Sequence, residues 1–216
     1  NYTVRNIQKG TFFENARINA SETMSVYDLF TNRALYNMDL LLDEINTFSG
    51  DLKRALLLTL TSASGQMSNM VFAITGRGKT KNQKTDKIEV GSWVIGLWRP
   101  DLHFEINVWN CFENRANKLY KALLEQNTNS IAYTNSISDF YAQNAKMGII
   151  RGNAKSLLKT IPSESVKLII TDPPHSDRIP YLELSEMWNC LLNKNADFSE
   201  EIVVSNAKSR KKSKEE

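Results

Sequence analysis

Residues 166–172 read VKLIITD, and two prolines follow at once. A strand that meets water on one face alternates apolar with polar side chains, and this run, interrupted only by Lys167, does not. It is the pattern of a strand covered on both faces, as in a parallel sheet flanked by helices. Proline locks φ and has no N–H, so Thr171 to Pro174 are expected to form a rigid loop whose carbonyls are free to accept hydrogen bonds. Ligands of open α/β sheets bind just beyond the carboxyl ends of the strands, where Asp172 stands. An acid among free carbonyls is an array of acceptors, suited to a partner that offers donors, such as an exocyclic amino group. The plainer alternative is a proline turn that only stops a strand, with Asp172 capping the next element.

The flanking residues complete a compact α/β unit. Met147–Arg151 reads as a short strand, Gly152–Asn153 as a turn, and Ala154–Thr160 as a short helix carrying Leu157 and Leu158. After Pro180, the residues Tyr181, Leu184, Trp188, Leu191 and Leu192 mark one more helix. Trp188 is expected in the core, and Glu183 and Glu186 on the solvated face.

All five prolines lie at or beyond position 100, so the first half is free to hold long helices. Leu35, Met38, Leu41, Leu42, Ile45 and Phe48 recur at helical spacing between Thr31, a suitable N-cap, and Gly50, placed to end the helix. A second helix is expected from about Asp51 to Asn69, with its apolar front half buried. Residues 75–91 are rich in glycine and lysine and read as an exposed loop. Residues 92–115 predict either one or two short strands or an irregular aromatic-rich loop. Ala116, Leu119, Tyr120, Leu123 and Leu124 share one face of a helix over 114–125. A polar turn over 127–135 and a further helical turn over 137–144 follow. The expected organisation is a mainly helical region at 1–74, a basic loop at 75–91, a mixed region at 92–144, an α/β segment at 145–200 and a polar basic tail at 201–216.

Composition excludes some classes. At 216 residues, 41% of them hydrophobic, the chain is long enough for one sizeable core or two small ones. No run approaches the ~18 apolar residues that span a bilayer, so a cytoplasmic protein is the default. Cys111 and Cys190 are far apart, and the only histidines are His103 and His175, so buried thiols are expected, with a disulfide between them as the alternative, and no metal site. The net charge is only +3, but Arg77, Lys79, Lys81, Lys84 and Lys87 fall in one polar stretch, and Arg210, Lys211, Lys212 and Lys214 near the end. Such runs are either solvated or in contact with phosphates. The chain begins with Asn, so it is expected to be a piece of a longer protein or one whose start was removed.

The phrase GNAKSLLKTIPSESVKLIITDPPHSDRIPYLELSEMW, within residues 148–192, resembles the catalytic segment of the amino-group DNA methyltransferases, which modify adenine at N6 or cytosine at N4. VYDLFTNRALYNMDLLLDEI is similar to the Leu-Phe-Thr-x-Arg helix of the larger members. The resemblance implies part of a class I, Rossmann-like S-adenosylmethionine-dependent methyltransferase sheet behind a helical N-terminal half. It also implies a DNA substrate and a bacterial restriction–modification setting. In that family the target base is rotated out of the duplex. Asp172 would then accept one amino hydrogen and the Pro173 carbonyl the other, with Pro174 completing the catalytic loop. The nitrogen lone pair is thereby localised for attack on the methyl group, and catalysis rests on positioning and fixed dipoles. The residue after the second proline is usually Tyr, Phe or Trp and stacks on the flipped base; here it is His175, with Tyr181 as a second stacking candidate. Gly152 and Asn153 occupy the turn that touches the cofactor in relatives. Arg77, Lys79, Lys81 and Lys84 become candidates for DNA phosphate contact.

One part of the family's pattern is missing. Of the nine glycines only Gly76 and Gly78 have the spacing of an Asp-x-Phe-x-Gly-x-Gly cofactor loop, and they sit among lysines rather than after an apolar strand. In some relatives that loop follows the catalytic segment and in the larger ones it precedes the Leu-Phe-Thr helix; the missing Met and the order of the weaker match favour a place before Asn1. The 216-residue chain alone is then expected to bind S-adenosylmethionine poorly and not to turn over. Two functions stand at this point: a fragment of a DNA methyltransferase, and a non-catalytic nucleic-acid-binding or assembly subunit that keeps the fold. The expected partners are DNA and the rest of its own chain or a restriction subunit, with no membrane.

Overall fold

The computed structural model describes residues 3–75, 87–93, 96–125, 131–172, 179–199, 201–205 and 211–213. Helix α1, Asn32–Thr47, begins where Thr31 Oγ1 accepts from the Ala34 N–H at 3.0 Å, the expected N-cap. Its stripe of Ala34, Leu35, Met38, Leu42 and Ile45 is buried, as its spacing dictates. Gly50 adopts φ +61, which reverses the chain into α2, Gly50–Ser64. In α2 the apolar stretch 55–60 is largely buried, as expected: Thr59 and Leu60 are buried and Leu56 and Leu57 pack against the core, with Leu58 the exposed exception, while Leu52 before it is also more than half exposed. The start of α2 projects beyond the core, and only its later turns meet other elements.

A last helix, Tyr181–Leu191, closes the core against α2. Trp188 packs at its edge as expected, edge-to-face with Trp93 at 6.3 Å between ring centroids. The acids on this helix are not solvated. Glu183 is only 2% exposed and accepts from Asn15 Nδ2 at 3.4 Å. Glu186 is half-buried and its carboxyl is pushed above the usual carboxylate range by burial. The N-terminal segment lies across this helix: Asn15 bonds Glu183, and Gly10 lies close to Glu186, whose own partner Cys190 is one turn on, a tertiary covering that periodicity within one helix cannot report.

That segment is tethered at two places. The Gln8 N–H donates to the Cys190 carbonyl at 3.1 Å, and the Val26 N–H to the Lys9 carbonyl at 2.9 Å. Between them Gly10 adopts φ +53, and a Cβ there would lie 2.3 Å from Cys190 Sγ. Gly10→Ala is expected to cost about 2 kcal/mol through overpacking and backbone strain. Chemical denaturation checks this, with Gly10→Ala combined with Cys190→Ala recovering part of the loss.

Residues 75–91 are not wholly a loop. Strand β1, Ala73–Thr75, pairs antiparallel with β2, Ile88–Val90, with Ala73 opposite Val90 and Thr75 opposite Ile88. The connecting residues 76–86 lie outside the described ones. On the other side of β1, the Ala73 N–H donates to the Leu102 carbonyl at 3.0 Å and the Phe104 N–H to the Val71 carbonyl at 2.9 Å. The stretch around them is otherwise irregular, the second of the two forms its sequence allowed. It is tied to α1 by Glu105, which accepts from Arg33 Nε and Nη2 at 2.9 and 2.8 Å and from Thr31 Oγ1 at 2.8 Å.

The Arg33 guanidinium beside Glu105 holds its carboxyl below the usual carboxylate range. A depressed folded-state pKa contributes stability that is present above the unfolded-state value and is lost as pH falls through the folded-state value. The melting temperature of Glu105→Gln is therefore expected to lie below the parent's at about pH 7 and to converge with it at about pH 3.

The third long helix, α3, Val108–Glu125, starts six residues before the expected position 114. Its buried residues are Val108, Cys111 and Phe112, while Tyr120, Leu123 and Leu124 are 61%, 52% and 67% exposed. Only its beginning lies over α1 and α2, so the apolar face read from 116–124 stays uncovered.

The C-terminal third departs most from expectation. Strands β3, Tyr133–Thr134, and β4, Met147–Gly148, pair parallel, with helix α4, Ile137–Tyr141, in the crossover. Helix α5, Ala154–Leu157, follows the Gly152–Asn153 turn as expected. The run Val166–Ile170, however, is neither a strand nor buried: Val166, Leu168, Ile169 and Ile170 are 47%, 74%, 75% and 89% exposed. A parallel strand needs neighbours on its edges and layers on its faces. Among the described residues each sheet has only two strands, so this run has nothing to pair with. No Rossmann-like sheet forms among them. With the final helix numbered α6, no described helix is long and apolar enough to cross a membrane.

Candidate functional site

Asp172 stands at the end of the exposed run, itself exposed. Its carboxylate has no hydrogen-bond partner among the described residues, and residues 173–178, which the plainer reading would have it cap, lie outside them. Pro173, Pro174 and His175 lie outside the described residues, as do Arg77, Lys79, Lys81 and Lys84. Described structure resumes at Ile179, and Tyr181 opens α6 with its ring 56% exposed. Pro180 is buried beneath it, a rigid entry that proline's fixed φ favours at a helix start. Asp172 and Tyr181 are thus two accessible groups at the two ends of the short proline-bearing connection.

The Gly152–Asn153 turn behaves as a local device. Asn153 Oδ1 accepts from the Lys155 and Ser156 N–H groups at 2.9 and 3.4 Å and so caps α5. A side chain at Gly152 would meet the Leu157 methyl at 3.0 Å. Beside this turn lies an open cavity of about 520 Å³, bordered by Ile150 and Leu157 on the turn's two sides and by Ser138, Tyr141 and Thr160. Sequence reasoning did not find it, since it is assembled from α4, α5 and the strand end between them.

These residues do not fit S-adenosylmethionine. The Asn153 oxygen that would face a ligand is committed to α5, the cavity lining carries no acidic side chain for ribose hydroxyls, and no glycine-rich loop borders it. The described turn supplies at most one wall of a cofactor site. We expect the 216-residue chain alone to show no saturable S-adenosylmethionine binding by calorimetry.

The two cysteines are structural in setting. Both are buried and free. Burial, and then the neighbouring Glu186, push the Cys190 thiol up to about 12, and burial raises Cys111 as well. No family model, no curated protein and no solved structure matches the chain.

Proposed function

We propose that this chain carries the catalytic segment of an amino-group DNA methyltransferase that modifies adenine at N6 or cytosine at N4, acting in the cytoplasm within a restriction–modification system. The observation that carries the proposal is Asp172: an exposed carboxylate, without a hydrogen-bond partner among the described residues, closing an apolar run ahead of two prolines within a phrase that resembles the family's catalytic segment. The run's exposure supports it as well. Four apolar side chains in water are unfavourable by about 25 cal/mol per Å² of accessible surface, a cost removed when the run enters the middle of a parallel sheet. β3 and β4 already pair parallel, so they are the natural start of that sheet.

In this proposal the flipped base offers its amino group to Asp172, and the Pro173 carbonyl takes the second hydrogen. Acceptors held in place at the developing charge would cost little reorganisation. Bound S-adenosylmethionine supplies an electrophilic methyl group; the residues that hold it are not those described. Tyr181 is exposed and offers a ring for the base to stack on. The test is product analysis of DNA treated with the intact protein and with Asp172→Ala.

A second reading has an observation of its own. The described residues lack a cofactor site, as a non-catalytic nucleic-acid-binding or assembly subunit would. DNA binding that persists in the intact protein without any methylated base, in the parent as in Asp172→Ala, selects this reading over the first.

A further inference from the structure

We infer that the cleft between the N-terminal segment, α1, α2 and the end of α6 is a binding site for a small organic carboxylate. None of the residues proposed for methyl transfer borders it, so the inference stands apart from that reading.

The cleft has a volume of about 330 Å³, near the lower end of the ~300–1,000 Å³ usual for small-molecule sites. Its floor is apolar, formed by Ile7, Leu42, Leu57, Leu191 and Leu192. The rest of its border carries the cations Arg5 and Lys53, several side-chain amides and, among the described residues, no acid. Arg5 is already matched, by Asp43 at 2.9 Å. Lys53 is not: it is half-buried, and its ammonium group has no hydrogen-bond or ion-pair partner among the described residues. Asp51, the acid of the same helix, is engaged by Arg54. A partly desolvated cation without a partner is unfavourable, and a bound anion removes that cost.

One uncompensated charge fits a monoanion, and the amides supply further donors. Gln8 Nε2 donates to Asn193 Oδ1, while Asn193 Nδ2 and the Asn46 amide have no partner among the described residues. One carboxylate oxygen can then take the ammonium group and the other an amide N–H, with an apolar body lying on the leucines. The walls are joined before any ligand arrives. The Gln8–Asn193 bond, and the Gln8 N–H donating to the Cys190 carbonyl at 3.1 Å, tie the N-terminal segment to α6. Arg5 and Asn6 tie it to α1 through Asp39 and Asp43. A cleft already formed loses little conformational entropy on binding.

Calorimetric titration of the 216-residue chain with phenylacetate tests it. Saturable binding is expected, with Kd on the order of 1 mM or below. Lys53→Gln is expected to weaken it at least about tenfold, and Lys53→Arg to retain most of it, since the charge stays. Phenylacetamide, the neutral counterpart, is expected to bind the parent at least about tenfold more weakly than the acid. That comparison needs no variant, so it decides even where a variant fails to fold. Inorganic phosphate, an anion with no apolar body, is expected not to displace phenylacetate. No saturable binding in the parent, equal affinity for acid and amide, unchanged affinity in Lys53→Gln, or displacement by equimolar phosphate overturns the inference.

Discussion

Asp172→Ala is expected to lower methyl transfer by the intact protein on the order of 10³-fold, with DNA affinity unchanged. Removing the carboxylate leaves one amino hydrogen without its acceptor, and the nitrogen lone pair stays delocalised into the base. A fixed acceptor contributes mainly in the transition state, so the loss falls in kcat rather than KM. Asp172→Asn separates charge from geometry: the amide keeps one acceptor oxygen and loses the negative charge, and it is expected to retain part of the rate. The carboxylate is exposed and makes no hydrogen bond among the described residues, so the melting temperature of either variant should match the parent's. A bland proline turn predicts full activity in both variants.

The second large effect is on stability. Asp39 lies on α1, fully buried, and receives the start of the chain: the Arg5 N–H approaches its two oxygens at 3.2 and 3.1 Å, and the Asn6 N–H donates at 2.7 Å. Asp43, one turn on, pairs with Arg5 Nη2 at 2.9 Å and accepts from Asn6 Nδ2 at 2.8 Å. Asp39→Ala strands two backbone donors and removes the anchor that lays residues 5–10 across α6. A cost of about 3 kcal/mol is expected, since each donor left without a partner forfeits about 1–3 kcal/mol. Asp43→Ala, whose ion pair is largely exposed, is expected to cost less than about 1 kcal/mol. Urea denaturation midpoints of the two variants, compared at one pH, check the contrast.

How much of this was legible depends on the range of the forces involved. Thr31 and the stripe from Leu35 to Ile45 predicted α1 because cap and periodicity are local. The Gly152–Asn153 turn and the short helix after it were legible for the same reason. Asp39 was not: it sits on the apolar side of α1, and its reason lies some thirty residues away at Arg5 and Asn6. Glu183 and Glu186 were misplaced on the same account, because the N-terminal segment that covers them is distant in sequence. The run Val166–Ile170 is the opposite case. Its pattern asks for a buried parallel strand, and the described residues provide no neighbour for it, so local signal and tertiary outcome part there. At the candidate site, Asp172 and Tyr181 were candidates from motif alone. The cavity beside Gly152 was not, since it is made where α4, α5 and the strand end between them pack together.

The central claim is methyl transfer to an exocyclic amino group. DNA incubated with the intact protein and isotopically labelled S-adenosylmethionine, digested and analysed by nucleoside mass spectrometry, tests it most directly. The account predicts labelled N6-methyladenine or N4-methylcytosine with the parent and neither with Asp172→Ala. Unlabelled DNA with the parent protein, or label that persists in the Asp172 variant, contradicts it.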